Sequence, residues 1–311
     1  MTVALFTHPA ALAHDTGEYH PECPDRIRAV LAALEAPEFQ GLLREIAPEA
    51  PFEALAAAHS VGYVERILAI RPGPGQFSYI DGDTVVSTGT KDAALRAAGG
   101  AIAAVDAVME GWAEAAFVAM RPPGHHAERE RAMGFCLFNN AAVAAFHARA
   151  RYGLRRIAVV DFDVHHGNGT QDIFGPDADL FYASSHQYPC YPGTGTRHER
   201  GVAGNVVNVP LPPGTGGEEF RRAWGEEILP ALEKFAPELL IISAGFDAHA
   251  ADPLAQLRLR EADFTWVTEA LLAVADQSCP GRVVSLLEGG YDLQALAISS
   301  AAHMRSLMRA S

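Results

Sequence analysis

The chain alternates between short apolar runs and longer segments in which apolar residues recur every three or four positions. Nearly continuous runs of Val, Ile, Leu and Ala are typical of strands that are buried on both faces of a parallel sheet. Seven such runs predict strands at Val3–Phe6, Ala115–Met120, Arg156–Asp163, Leu180–Ser184, Val206–Val209, Leu239–Ala244 and Val283–Leu287.

Helical spacing predicts helices at Pro24–Leu34, Lys91–Glu110, Asn139–Arg151, Glu218–Phe235, Glu261–Ala275 and Gln294–Met308. Residues 71–90 and 188–200 show neither pattern and predict long loops. Strands that alternate with helices predict an α/β fold, with a central, mainly parallel β-sheet and helices on both faces. No linker, repeat or low-complexity tract interrupts the pattern, so we expect a single domain over residues 1–311.

Composition narrows the classes of function. The formal net charge of −14 disfavours a nucleic-acid partner, which would need a basic surface. No apolar run approaches the roughly 20 residues of a membrane span, and the start, MTVALFTHPA, does not resemble a signal peptide. The four cysteines form no CxxC pair, which argues against disulfides or a thiolate zinc site and fits a reducing cytoplasm.

Ionisable residues and glycines follow four of the predicted strands. The segments are RPPGHH at 121–126, DFDVHH at 161–166, AGFDAHAADP at 244–253 and EGGYD at 288–292. In open α/β sheets, active sites form at the carboxyl ends of the strands. We therefore expect these four segments to meet in one site.

The spacing DxDxH suggests a metal site. Side chains alternate along a strand, so Asp161, Asp163 and His165 share one side. A further ligand must come from another strand, and Asp247 is the best candidate. Asp163, His165 and Asp247 would form an oxygen- and imidazole-donor site that suits zinc, iron or manganese. Three protein ligands leave a position open, as in catalytic rather than structural zinc sites.

The other motifs supply groups for acid–base chemistry. His125 and His126 lie on a Pro-Pro-Gly turn, and neutral imidazole is a natural general base near pH 7. Asp161 could orient one imidazole, and the Tyr291 phenol could stabilise an oxyanion. These parts indicate metal-assisted hydrolysis of an amide or ester. The chain has no G-x-S-x-G, GxGxxG or P-loop pattern, which weakens serine hydrolase and nucleotide-binding interpretations.

Six segments together resemble the zinc-dependent histone deacetylase family, which includes acetylpolyamine amidohydrolases and acetoin-utilisation proteins. They are RPPGHH, GFCLFNN, DFDVHHGNGT, YPGTG, SAGFDAHAADPL and LEGGYD, and they span nearly the whole chain in order. The segment THPAALAHDTGEYHPECPDR is similar to the class II branch. The resemblance implies the arginase–deacetylase fold, with the active site at the carboxyl ends of the strands. The order DxDxH, unlike the DxHxD of two-manganese arginases, favours a one-zinc deacetylase.

The resemblance implies particular cation ligands. Asp163, His165 and Asp247 correspond to the zinc ligands, and Fe2+ is an alternative ion in the cell. The family's structural potassium site would use mainly backbone carbonyls of Asp161, Asp163, His165 and Ser184.

The resemblance also implies catalytic roles. His125 and His126 correspond to the histidine pair, with Asp161 orienting His125 and His126 preferred as the general base. Asn168 stands where class I members carry an aspartate, and an amide oxygen orients His126 while stabilising imidazolium less. Tyr291 would polarise the substrate carbonyl.

The resemblance also implies which residues contact the substrate. Gly134, Phe135 and Tyr191 correspond to the wall of a channel that suits a lysine-like alkyl chain. Leu254 stands where polyamine-specific eukaryotic members have a glutamate, which argues for acyl-lysine over acetylpolyamine. Asp81 or Asp83, in IDGDT, could bind a substrate backbone amide or a second amine.

Three functions therefore stay open. The first is removal of acetyl or other acyl groups from lysine in peptides or proteins. The second is hydrolysis of an acetylpolyamine or another small acylated amine. The third is a non-catalytic module that binds acyl-lysine.

Overall fold

The computed structural model of the protein describes residues 1–309, so the last two residues of the predicted domain lie outside the described part. An eight-stranded, fully parallel sheet forms the centre, in the order β2-β1-β5-β10-β9-β6-β7-β8, and β3 and β4 form a separate antiparallel hairpin. The strands are β1 Val3–Thr7, β2 Leu43–Ile46, β3 Ser78–Tyr79, β4 Val85–Val86, β5 Ala115–Val118, β6 Ile157–Asp161, β7 Leu180–Gln187, β8 Val206–Leu211, β9 Leu239–Ala244 and β10 Val283–Leu287.

Helices cover the sheet. They are α1 Ala10–Ala13, α2 Asp25–Ala33, α3 Phe52–Ala58, α4 Val61–Ala69, α5 Thr90–Met109, α6 Asn140–Tyr152, α7 Asn168–Phe174, α8 Gly217–Ala223, α9 Leu229–Phe235, α10 Glu261–Ser278 and α11 Leu293–Met308. Every residue of β6, β9 and β10 is buried. Because alternate side chains of a strand point to opposite faces, both faces of the central sheet must be covered. The predicted fold class is therefore confirmed.

Each predicted strand overlaps an observed one, and the missed elements are short. All four residues of the edge strand β2 are exposed, so no hydrophobic run marks it. The short helices α1, α3, α4 and α7 were also not predicted, and residues 71–90 contain the β3–β4 hairpin in place of a continuous loop. A π-helical turn at Trp224–Ile228 separates α8 from α9 within the single helix predicted there.

Strand order brings the polar segments together. β5, β10, β9 and β6 are neighbours in the sheet, and each is followed by one of the four polar segments. In a parallel sheet all carboxyl ends lie along one edge. The four segments therefore converge, as predicted. Within residues 1–309, no helix is both long and apolar enough to cross a lipid bilayer.

Candidate active site

Asp163, His165 and Asp247 form a compact, buried group in which one possible ligand atom of each residue lies within 4.8 Å of the others. His165 Nδ1 lies 3.1 Å from Asp163 Oδ1 and 3.2 Å from Asp247 Oδ2. Burial, and then the neighbouring Asp163 carboxylate, raise the pKa of Asp247 to about 7. Two carboxylates and an imidazole this close suit a divalent cation, because buried charges need compensation.

Backbone contacts hold these ligands in place. The N–H of Gly289 donates to Asp163 Oδ2 at 2.8 Å, and the N–H of Val164 donates to Asp247 Oδ1 at 2.9 Å. A Cβ atom at Gly289 would lie 2.0 Å from Asp247 Oδ2. The first glycine of EGGYD, Gly289, therefore permits the close approach of the chain after β10 to the ligands. Gly290 is needed for a different reason, because its φ of +125° is a backbone conformation that other residues rarely adopt.

The histidine pair has two different environments. His125 Nδ1 lies 2.9 Å from Asp161 Oδ2, and His126 Nδ1 lies 2.8 Å from Asn168 Oδ1. Asn168 Nδ2 donates to Glu128 Oε1, which leaves its amide oxygen facing His126. The ring centroids of the two histidines are 4.0 Å apart.

The same environments separate the pKa values of the two histidines. Burial alone lowers the pKa of His125, but the carboxylates of Asp163 and Asp161 outweigh it and raise that pKa to about 10. Burial, followed by the positive charges of His125 and His165, holds the pKa of His126 well below its usual range. Without a bound metal ion, these pKa values leave His126 neutral at pH 7 and place the charge on His125.

A pocket of about 230 Å³ opens beside these groups. Phe135 and Tyr291 pack edge to face on its wall, with ring centroids 5.8 Å apart, and Tyr191 lies edge to face with His126 at 5.1 Å. The residues that line the pocket are Asp83, His126, Gly134, Phe135, His165, Tyr191, Leu254 and Tyr291.

Most of the predicted substrate residues thus line one pocket, whereas Asp81 is not among the residues that line it. Asp81 Oδ1 accepts the N–H groups of Asp83 and Thr84, which closes a turn. Of the four predicted potassium ligands, Asp161 of β6 and Ser184 of β7 are register partners in the sheet.

Sequence reasoning missed a buried ion cluster beneath the pocket. Glu22 binds both Arg26 and Arg121, and all three side chains are fully buried. Arg26 also donates to the carbonyl oxygens of Gly290 and Glu288, and its guanidinium lies 4.9 Å from the Tyr291 ring centroid. Glu22 precedes α2, which begins at Asp25, so the pair had no helical i,i+4 spacing signal in the sequence.

Two further buried carboxylates support the loops of the site. Asp252 Oδ2 accepts the backbone N–H of Tyr291 at 2.7 Å, and Asp252 Oδ1 accepts that of Leu254 at 3.0 Å. Glu288 accepts hydrogen bonds from the RPPGHH turn. Both residues lie within the polar segments that follow β9 and β10, but the sequence alone does not show which backbone N–H groups a carboxylate binds.

Comparison with known proteins places the chain among its relatives. The family model described as histone deacetylase domain matches residues 20–307. Histone deacetylase 14, chloroplastic, from Arabidopsis thaliana is 39% identical over 98% of this chain and 76% of its own length. A histone deacetylase-like amidohydrolase from Pseudomonas aeruginosa is 40% identical over 88% of this chain and 72% of that protein.

Archaeal and structural relatives extend the comparison. A probable deacetylase from Methanothermobacter thermautotrophicus is 42% identical over 93% of this chain and 86% of that protein. The crystal structure of the HDA15 HD domain superposes with a TM-score of 0.91 at 35% identity, covering 99% of this chain and 88% of that one.

Proposed function

Because the chain belongs to the histone deacetylase family, we propose that it is a zinc-dependent deacylase that hydrolyses the acylated ε-amine of lysine in peptides or proteins. One observation carries the proposal: a single pocket reaches the Asp163–His165–Asp247 group, the neutral His126 and the Tyr291 phenol. These are the parts that metal-assisted amide hydrolysis needs.

Asp163, His165 and Asp247 would hold the divalent ion, with Fe2+ as the alternative to Zn2+ in the cell. Bound there, the ion would act as a Lewis acid toward the substrate carbonyl and would make water a stronger nucleophile. We also propose potassium as a structural ion near the ends of β6 and β7, with mainly backbone ligands at Asp161, Asp163, His165 and Ser184.

His126 would act as the general base. Asn168 occupies its Nδ1, so Nε2 is the nitrogen that would accept a proton from the attacking water. The same nitrogen would then give a proton to the leaving amine. His125, charged and held by Asp161, would stabilise the negative charge that develops during the reaction.

Tyr291 would donate a hydrogen bond to the substrate carbonyl oxygen. Burial, together with nearby carboxylates, raises the pKa of its phenol well above the usual value. The phenol therefore keeps its proton at neutral pH and can act as a donor to a developing oxyanion.

The pocket wall supports a substrate with an alkyl chain. Phe135 and Tyr191 offer aromatic surface, and the uncharged Leu254 offers no partner for a distant ammonium group. An acylated polyamine is the second candidate, since the Asp83 side chain also lines the pocket and could bind a free amine.

The test compares kcat/KM of the zinc-loaded protein on an acetyl-lysine peptide and on N-acetylputrescine. Preference for the peptide supports the deacylase of peptides or proteins, and preference for the diamine supports the second candidate. Tight binding of the peptide without turnover would contradict both and favour a non-catalytic binding module. To compare the two ions, metal is removed from the protein with a chelator, Zn2+ or Fe2+ is added back, and kcat/KM is measured for each.

A further inference from the structure

One buried carboxylate beside the active site has no part in the proposed reaction. Glu288 follows β10 directly and is only 1% exposed. We infer that Glu288 is a positioning residue, whose hydrogen bonds to the turn before His125 set the location of the histidine pair relative to the metal ligands. The inference rests on the proposed function, because it assigns a role to the same histidines.

The carboxylate of Glu288 joins three strand ends. Its Oε2 accepts the backbone N–H of Gly124 at 2.7 Å and that of His125 at 3.2 Å, both in the turn after β5. Its Oε1 accepts the hydroxyl of Ser243, in the neighbouring strand β9, at 3.0 Å. The side chain therefore ties the histidine turn to β9 and β10, whose ends carry Asp247 and Gly289.

The turn accepts other hydrogen bonds at its carbonyl groups, from Asn140 Nδ2 to Pro122 O and from the N–H groups of Gly169 and Thr170 to His125 O, but it has few backbone donors. Pro122 and Pro123 have no N–H, so Gly124 and His125 carry the first two backbone donors after Arg121. Both N–H groups donate to the same side-chain oxygen, Glu288 Oε2. Burial raises the pKa of Glu288 to about 7, and an oxygen of the carboxyl group can accept both hydrogen bonds. On its other side the turn touches α6, since a Cβ at Gly124 would lie 2.6 Å from Asn140 N.

Backbone and ring positions are thus controlled by different groups. Asp161 and Asn168 orient the two imidazole rings, whereas Glu288 holds the backbone from which the His125 ring extends. A displacement near 1 Å can reduce a rate by about 10²-fold. Glu288 lies outside the set of residues that line the pocket, so its loss should reduce kcat and leave KM nearly unchanged.

Two conservative variants separate the length of the Glu288 side chain from the presence of its carboxyl group. Glu288→Gln keeps the reach: its amide oxygen can accept both backbone N–H groups while its NH2 donates to the Ser243 hydroxyl. Glu288→Asp keeps the carboxyl group but withdraws it by roughly 1.5 Å. We expect kcat of Glu288→Gln to stay within about threefold of wild type and kcat of Glu288→Asp to fall about tenfold or more, with KM and bound zinc unchanged in both.

A second measurement does not depend on turnover. Long-range ¹H–¹⁵N spectra of the metal-free protein report the imidazole of His125, whose signals are assigned with a His125→Gln variant. We expect Glu288→Asp to shift these signals and Glu288→Gln to preserve them. If the wild-type protein is inactive, the proposed deacylase function is contradicted. The spectra would still test whether Glu288 positions His125, because they do not depend on turnover.

Several results would overturn the inference. One is a Glu288→Asp variant whose kcat and spectra equal those of the wild type. Another is a loss in Glu288→Gln that equals or exceeds the loss in Glu288→Asp, which would make the carboxyl group, and not its reach, the property that matters. Equal losses of folded protein or bound zinc in both variants would indicate a purely structural role.

Discussion

At the scale of single residues, the phenol of Tyr291 is the group whose removal separates chemistry from binding. Tyr291→Phe deletes one hydroxyl and leaves the ring, which packs between Phe135 and Arg26. We expect kcat to fall by about 10²–10³-fold, because an oxyanion donor is lost, while bound zinc stays unchanged. Steady-state kinetics and metal analysis test this, with the exposed Tyr79→Phe as control. Undiminished turnover would refute the donor role.

A second residue-scale prediction concerns the proposed ligand Asp247. Asp247→Ala removes one of the three converging groups and should abolish both zinc binding and turnover. Zinc per protein chain and kcat/KM are measured together, and Asp92→Ala, at an exposed position on α5, is the control. A variant that retains stoichiometric zinc would show that the ion is held elsewhere.

At the scale of elements, the tips of β9 and β10 must approach the carboxylates very closely. A Cβ at Gly289 would lie 2.0 Å from Asp247 Oδ2 and 2.5 Å from Asp163 Oδ2. Gly289→Ala should therefore displace the ligands and lower zinc affinity by at least about tenfold. Competition with a chelator of known affinity measures this change.

The matched control is another glycine with room for a methyl group. Gly225, in the turn between α8 and α9, has no atom within 4 Å of a built Cβ. Gly225→Ala should bind zinc like the wild type. Equal zinc affinity in the Gly289→Ala and Gly225→Ala variants would show that the tip of β10 can move.

At the scale of the whole molecule, buried neutral histidines should make the fold sensitive to acid. His303 bonds Thr268 and Ser285 between α10, α11 and β10, and burial lowers its pKa from 6.5 to about 3. The unfolded chain takes up this proton near pH 6.5. The stability contribution is therefore complete above pH 6.5 and is lost as pH falls toward 3, by about 1.4 kcal/mol per pH unit.

Chemical denaturation at a series of pH values tests this effect. His303→Gln should reduce the slope of the unfolding free energy against pH below 6.5, whatever its effect on stability at neutral pH. His198→Gln, at an exposed position, is the matched control. A slope unchanged by His303→Gln would mean that this histidine does not stay neutral in the fold.

The sequence by itself determined the fold class, the central strands and the residues that meet in the site. Continuous apolar runs mark strands buried on both faces, and the strands of a parallel sheet end at one edge, so the motifs that follow them were expected along that edge. The strand order then made the four motif-bearing strands neighbours. It also indicated Asp163, His165 and Asp247 as a group, which the structure places within 4.8 Å. The edge strand β2 escaped prediction because its exposed residues have no apolar pattern.

Only the tertiary structure decided how each polar group is held. The different pKa values of His125 and His126, the presence of Asp83 and not Asp81 in the pocket wall, and the contacts of Glu288 depend on residues far apart in the chain. Such contacts depend on differences of a few tenths of an ångström in the distance between two groups and on the burial of those groups. Neither quantity is encoded in the local pattern of residues, because both arise only when separate strands and loops pack together.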